Sequence, residues 1–365
     1  MQVKRLAAAL VAATPLFAVA QTSVTMYGVV DAAVESADEG GSRGRVVRVQ
    51  SGDQSTSRIG FRGTEDLGNG LKAIFNLEAG IAIDTGAADS SGLFQRRAVV
   101  GLESATLGTL TLGREYSPIA SVAAATDEFG QGFYGSNLSA FGNASPNLST
   151  SAATNPRLTR RLANSVNYKT ATFGGFKLLA AYAAGENTNT AAPGSSSADL
   201  KSVGAEYTLG NLYVGAAYAE AKRLNVNNDK EYAAGAAYKF DQLGGLDIKA
   251  NYMVADAYGP NNKFTQWNVG AGFPFGASKV LANFQQNKLQ NGAKGKVWAV
   301  AYTYSLSKRT NLYASYADMD NNRLGTFTLN SSGNTLTPQN TAGSVNTPVV
   351  GGDPSAFTIG IRHTF

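Results

Sequence analysis

Residues 71–84 read LKAIFNLEAGIAID. Every second residue from Leu71 is apolar: Ala73, Phe75, Leu77, Ala79, Ile81 and Ile83 follow it. The intervening set, Lys72, Ile74, Asn76, Glu78, Gly80, Ala82 and Asp84, is mostly polar or small. A period of two means a β-strand, because successive side chains point to opposite faces. Strands of globular proteins run about 5–6 residues. This one runs about twice that, the length a tilted strand needs to cross a bilayer. A long sandwich strand would look the same, so repetition decides between them.

The alternation repeats along the chain. VTMYGVVDAAV (24–34) puts Val24, Met26, Val30, Ala32 and Val34 on one face, and EYAAGAAYKF (231–240) puts Tyr232, Ala234, Ala236, Tyr238 and Phe240 together. TQWNVGAGF (265–273) sets Trp267, Val269, Ala271 and Phe273 against Gln266 and Asn268, and VWAVAYTYSL (297–306) aligns Trp298, Val300, Tyr302, Tyr304 and Leu306. Strands are expected at 23–35, 53–63, 70–84, 93–103, 108–116, 160–171, 175–186, 199–209, 211–222, 230–240, 245–257, 263–274, 278–288, 294–306, 310–319 and 355–365. That is about sixteen, an even number in the range of bacterial outer-membrane barrels. Connections after odd-numbered strands are mostly long (36–52, 85–92, 117–159, 187–198, 223–229, 258–262, 289–293, 320–354), and those after even-numbered strands are short. Long loops on one side and tight turns on the other is the layout of a transmembrane antiparallel β-barrel, with short periplasmic turns and long extracellular loops. In hydrocarbon an unpaired backbone group costs several kcal/mol, so the sheet has to close. Phe61, Phe94, Phe173, Phe176, Phe240, Phe275, Tyr304 and Phe365 fall at strand ends and are expected in aromatic girdles.

The N-terminus reads MQVKR and then LAAALVAATPLFAVA, with small residues Ala18 and Ala20 at its end. A basic start, a short apolar run and a small-residue site make residues 1–20 a cleaved secretory leader, leaving 21–365 as one barrel domain. Removing Lys4 and Arg5 lowers the formal charge from +5 to about +3, too little to argue for a nucleic-acid partner. No later apolar run reaches the ~18 residues of a spanning helix. Cysteine is absent and histidine occurs once, which removes thiol chemistry and leaves a catalytic triad or His-metal site without partners. No cofactor and no enzymatic activity are expected. The lone His363 shares the outward face of FTIGIRHTF with Phe357, Ile359, Ile361 and Phe365. GQGFYG (130–135) matches the dinucleotide fingerprint by spacing, but it neither follows a strand nor opens a helix.

SVTMYGVVDAAVE, SRIGFRGTEDLGNGLKAIFNLEAG, FQRRAVVGL, LGTLTLGREYSP, RLANSVNYKTATFGGFKL and the terminal GIRHTF resemble the Gram-negative general porins, most closely the neisserial and β-proteobacterial branch. The blocks cover most of residues 23–118, then 161–178 and the last strand; residues 187–354 match in strand pattern more than in words. The resemblance implies a sixteen-stranded homotrimer in the outer membrane, among its lipid and lipopolysaccharide. It also implies a third extracellular loop, here 117–159, folded into the lumen as a constriction. By position, it carries over wall arginines Arg58, Arg96 and Arg161, with Arg97 as a near neighbour, and loop acids Glu128 and Asp127. Closing Phe365 resembles the signal read by the barrel-assembly machinery. Two departures stand out: Val29 occupies a place where many members carry lysine, and Asp127 one where the enteric branch carries proline.

Alternation supports Arg58 independently, since Ile59 and Phe61 share the oily face and Arg58, Gly60 and Arg62 then face the lumen. An arginine facing lipid at the midplane would cost about 2–4 kcal/mol. For FQRRAVVGL the alternation admits either Arg96 or Arg97 inward; the resemblance selects Arg96 and leaves Arg97 outward. Arg43, Arg45, Arg48 and Arg114 read as vestibule charges, and Asp38, Glu39, Asp84 and Asp89 as vestibule acids. The expected function is passive diffusion of ions and small hydrophilic solutes, with a lean towards anions. The alternative is a substrate-specific channel with a saturable site.

Overall fold

The computed structural model describes residues 23–88, 92–142, 158–185, 196–223, 226–342 and 345–365. The expected leader, Asp89 and residues 143–157 of the third connection lie outside the described residues. In chain order come β1 (Ser23–Asp38), β2 (Arg45–Ser51), β3 (Arg58–Gly68), β4 (Leu71–Gly80), β5 (Arg97–Ser104) and β6 (Gly108–Tyr116). Helix α1 (Pro118–Ala125) and the short parallel pair β7 (Phe141–Gly142) and β8 (Leu158–Thr159) follow. The wall resumes with β9 (Arg161–Lys169), β10 (Phe176–Ala183), β11 (Ser196–Leu209), β12 (Leu212–Arg223), β13 (Asp229–Phe240) and β14 (Leu246–Asp256). It continues through β15 (Lys263–Phe275), β16 (Ser278–Leu289), β17 (Lys294–Ser305) and β18 (Thr310–Asn321). Two hairpins, β19 (Leu329–Asn330) with β20 (Thr335–Leu336) and β21 (Gln339–Ala342) with β22 (Val345–Pro348), precede the last strand β23 (Ser355–Thr364).

Each wall strand pairs antiparallel with its neighbours, and β1 pairs β23 from Val29↔Thr364 to Asp38↔Ser355. That ladder closes the sheet, so the barrel presents no continuous open edge to lipid. β2 and β3 share one wall position: β1 pairs β3 along its first half and β2 along its second. Counted this way the barrel has sixteen positions, all sixteen expected from alternation. The second strand is the one that differs in detail. Of its expected span, 53–63, only 58–63 stays in the wall, because residues 52–57 fold inward, and β2 occupies part of the connection expected at 36–52. Gly52 turns the chain at φ +78°, and local bonds replace the ladder: Ser57 Oγ donates to the Asp31 carbonyl at 3.0 Å and Ser55 N donates to the Asp31 carboxylate at 2.7 Å.

Tight turns join β3 to β4 at Asn69–Gly70, where both residues have positive φ (54° and 76°) as a two-residue hairpin requires. Short turns also follow β5, β9, β11, β13, β15 and β17, and the longest connections, those after β4, β6, β10 and β18, take the other end. The outward face carries the apolar set: Val100, Leu112, Val203, Val269, Trp298, Val300, Ile359 and Ile361 are all exposed. Near the short turns the rings form a belt, with Phe173–Phe176 at 6.3 Å, Phe176–Tyr207 at 4.4 Å, Tyr238–Phe240 at 4.6 Å and Phe275–Tyr302 at 6.5 Å between centroids. Towards the long loops Tyr218–Tyr232, Trp267–Phe284 and Trp298–Tyr316 pair at 5.2, 5.5 and 5.2 Å. Phe94 is a correction: it lines the lumen rather than a girdle. It precedes β5 in the chain, where the strand alternation does not yet apply.

The terminal residue sits at the seam. Gly28 N donates to the Phe365 carbonyl at 3.0 Å, and Phe365 N donates to the Gly28 carbonyl at 3.1 Å. The Phe365 ring covers Gly28 so closely that a Cβ there would lie 2.3 Å from ring carbon Cζ. His363, on the same outward face, has its Nδ1 at 2.8 Å from Thr310 Oγ1.

Candidate functional site

The third connection enters the lumen. Ser117 caps α1, its Oγ accepting from Ala120 N at 3.1 Å, and Pro118 supplies the fixed φ of the first turn. Ile119, Ala120, Val122 and Ala123 are buried against the inner wall of β10–β13. The wall has room because inward positions are glycine. A Cβ at Gly204 would stand 3.2 Å from Pro118 Cβ, one at Gly215 3.2 Å from Val122 Cγ2 and one at Gly235 2.7 Å from Thr126 Oγ1. At Gly270 it would meet Glu128 Cβ at 2.6 Å. Inward amides then grip the loop. Asn251 Nδ2 donates to the Thr126 carbonyl (2.9 Å), Asn283 Nδ2 to the Gly135 carbonyl (2.6 Å) and Gln266 Nε2 to Ser139 Oγ (2.8 Å). The GQGFYG stretch is part of this loop, and Gly132 fits under the Gln54 carbonyl, where a Cβ would come to 2.3 Å.

Three sequence-expected arginines converge on the opposite wall. Arg96 Nε donates to Glu78 Oε1 at 2.7 Å, and Arg58 Nε lies 3.5 Å from Glu78 Oε2. Arg161 donates to the Tyr116 hydroxyl at 3.1 Å and stacks over that ring at 4.8 Å; Arg96 reaches the same hydroxyl at 3.4 Å. Arg160, which sequence reading passed over, packs over Tyr116 at 5.9 Å and donates to Gln131 Oε1 at 3.1 Å. Burial, and then the charge of Arg161, push its guanidinium down to about 9, still protonated at neutral pH. Arg160 stands beside Arg161 just before β9, so a charged pair at a strand start was the available signal.

Arg97 faces inward, contrary to the sequence expectation. It stands directly across from Glu78 in the ladder and holds Glu115 Oε2 at 2.5 Å. The alternation of β5 gives the inner face to Arg97. Arg96 reaches the lumen as well because it lies in the bend before the strand, where alternation is suspended.

The loop acids lie elsewhere. Asp127 is fully buried; its carboxylate accepts from Gln131 N at 2.7 Å and Asn268 Nδ2 at 3.1 Å. Burial pushes its carboxyl up to about 6. Glu128 pairs with Lys279 at 2.6 Å and Lys249 at 3.7 Å, and Lys279 also reaches Asp247 at 3.0 Å. Both acids thus turn to the wall of β14–β16 and are compensated there.

What faces the passage is basic. A cavity of about 1010 Å³ is lined by Arg48, Arg96, Arg114, Arg160 and Arg161, with Asp84 as its acid. Arg48 and Arg114, read from sequence as vestibule charges, reach this lining. The far side is closed by residues 330–335 of the last long connection. That inward fold was not expected. Phe327, Leu329 and Leu336 are buried in the lumen, and Phe327 packs on Phe264 at 6.4 Å between centroids. Three apolar residues at irregular spacing in a polar loop were its only trace. Such fixed charges at a narrow waist between low-dielectric walls focus field and bias which ions enter.

The comparisons with known proteins agree with this geometry. The profile of the Gram-negative porin family matches residues 7–324. An outer membrane porin protein of Bordetella pertussis is 32% identical, over 86% of this chain and 93% of its own. Outer membrane porin protein 32 of Delftia acidovorans is 31% identical over 99% of both chains. Among solved structures, the anion-selective porin from Comamonas acidovorans superposes with a TM-score of 0.79 at 27% identity, covering 94% of this chain and 100% of its own. A closed sixteen-position barrel with a loop folded into a charged lumen, and a family match across most of the sequence, place the chain in the Gram-negative porin family.

Proposed function

We propose that this outer-membrane diffusion channel prefers anions, and that Arg58, Arg96 and Arg161, with Arg160 beside them, set the preference at the constriction. The observation that carries the reading is the asymmetry of charge. Among the described residues, five arginines and one aspartate line the cavity, while Asp127 and Glu128 are turned to Lys249, Lys279 and Asn268. An anion entering meets guanidinium groups already held in place by Glu78 and Tyr116, so little reorganisation opposes its passage. The anion selectivity named for the Comamonas structure supports the same reading. The working unit is a homotrimer, as the family likeness suggests. Phe365 closes the seam and serves as the assembly signal, and the leader over 1–20 is removed on export. A porin is a channel rather than an enzyme.

The test is a planar-bilayer recording of the purified native oligomer under a KCl gradient. Conductance arriving in steps of three, with a reversal potential on the anion-selective side, supports trimer and preference together. Steps of three with cation preference would overturn the arginine assignment while keeping the pore. Flux that saturates with one solute would move the reading to a substrate-specific channel.

A further inference from the structure

Diffusion through the pore gives no role to a group of buried carboxylates beside it. Asp31, Glu35 and Asp53 are each fully buried on the inner face of β1 and in the inward segment 52–57. Two are well partnered. Asp31 accepts from Tyr313 Oη at 2.6 Å and from Ser55 N at 2.7 Å. Glu35 accepts from Arg48 Nε at 2.8 Å and from Tyr134 Oη at 2.6 Å. Asp53 is different. Its Oδ2 accepts from Thr358 Oγ1 at 2.6 Å and from Ser315 Oγ at 3.3 Å, but its Oδ1 is buried without a hydrogen-bond partner.

Segment 52–57 is also where the two inward loops meet. On one side the constriction loop packs against it: Gly132 lies under the Gln54 carbonyl, and Phe133 packs edge-on against Tyr313 at 5.4 Å. On the other side sits the β19–β20 hairpin. Ser332 Oγ donates to the Gly52 carbonyl at 2.5 Å and reaches the Asp53 carbonyl at 3.4 Å, while Thr56 Oγ1 donates to the Ser332 carbonyl at 2.7 Å. Asn334 Nδ2 donates to Tyr134 Oη at 2.8 Å, which ties the hairpin to the constriction loop. The hairpin forms one side of the arginine-lined passage, through residues 330–335.

We propose that segment 52–57 is a proton-operated latch: protonated Asp53 holds the β19–β20 hairpin in the lumen, and ionised Asp53 releases it and widens the passage.

The charges facing Asp53 support this. Asp31 and Glu35 face it from β1, the Tyr313 hydroxyl from β18 and the Tyr134 hydroxyl from the constriction loop, while Arg48 of β2 faces Glu35 and Arg362 of β23 faces Asp31. The two cations are engaged elsewhere: Arg48 with Glu35, and Arg362 with Ser55 Oγ at 2.7 Å. An ionised Asp53 would therefore be a third carboxylate in a group whose two cations are held by other partners, with one oxygen facing no donor. A proton on Asp53 removes that charge. Burial pushes its carboxyl up, the hydroxyl of Thr358 opposes, and repulsion from Asp31 and Glu35 adds to the rise, leaving it at about 7. The sign follows by linkage. A carboxyl raised in the docked state favours docking fully below its ordinary range, and that contribution is lost as pH rises through about 7.

Single-channel conductance of the native oligomer, at fixed KCl from pH 6 to pH 8.5, tests the latch. The expected result is a larger conductance at the alkaline end, with a midpoint near 7. Asp53→Asn, which cannot ionise, should stay at the small acid-side conductance throughout. Thr358→Val removes a hydroxyl that favours the ionised form and should move the midpoint up by about one pH unit. Deleting residues 329–336 should give the large conductance at every pH. Equal conductance of the unmutated channel at both ends of the range would overturn the proposal. So would an unchanged pH step in Asp53→Asn, which would assign the titration to another group.

Discussion

The two sides of the lumen carry similar chemistry and use it differently. Behind the constriction loop, β14–β16 present Lys249, Lys279, Asn251, Asn268 and Gln266, and every one of these side chains bonds to the loop. Across the passage Arg96 and Arg161 also have partners, Glu78 and Tyr116, yet both still line open space with Arg114 and Arg160. Charge matched by charge at one wall positions a loop. Charge outnumbering its partners at the other leaves a field for ions to read. The difference rests on the ratio of acids to bases at each place: Asp127, Glu128 and Asp247 outnumber Lys249 and Lys279 behind the loop, while arginines outnumber acids along the cavity.

If that contrast is right, the walls answer differently to neutralisation. Replacing Arg58, Arg96 and Arg161 together by glutamine should move the permeability ratio towards cations by about tenfold, the low end of what focused charge achieves. A reversal potential left where it was would remove their role. Glu78→Gln sharpens the comparison from the other direction. It takes away the carboxylate shared by Arg58 and Arg96, and anion preference should rise about threefold by the same field argument. A fall in anion preference would mean that Glu78 acts by holding the arginines in place.

On the wall behind the loop, Asp127→Asn with Glu128→Gln should change the permeability ratio less than about twofold, since these acids are covered by the loop and Asp247 still meets Lys279 at 3.0 Å. The effect should fall on the loop instead. Removing one partner of a buried ion pair is destabilising by about 3–5 kcal/mol, so open-channel noise and proteolysis of residues 117–142 should increase. A selectivity change as large as that of the arginine variant would erase the contrast between the walls.

The barrel was legible because lipid enforces one rule on every strand: apolar outward, small or polar inward. That rule located sixteen strands and the outward His363 without any contact being known. It lost force wherever the chain leaves the wall. Residues 52–57, Arg96 and Phe94 all lie in bends, and each was misplaced or undecided by alternation. The inward hairpin at 329–336 carries no period at all, since its burial depends on Phe264 and on segment 52–57, both far away in sequence. The glycines at 204, 215, 235 and 270 were visible in sequence as weak strand residues. Their purpose, room for Pro118, Val122, Thr126 and Glu128, is a property of the folded loop. Likewise the acids at 127 and 128 were located in the correct loop, but only the lysines opposite decide which way they face.

The smallest expected effect concerns pH, and it probes the covered wall without a mutation. Burial raises the Asp127 carboxyl to about 6, above the ordinary carboxylate range. A raised carboxyl contributes stability to the packed loop below that ordinary range, and the contribution is lost as pH climbs through about 6. Lowering pH from 7.5 to 5 should therefore tighten the loop. It also removes a negative charge near Lys249, so anion preference should rise, by less than about twofold because the group is screened from the passage by its own loop. The rise should be absent in Asp127→Asn and preserved in Asp53→Asn, which separates it from the latch. Were the rise to persist in Asp127→Asn, the titrating acid would be the neighbouring Glu128, whose carboxyl burial also raises and which faces Lys249 and Lys279.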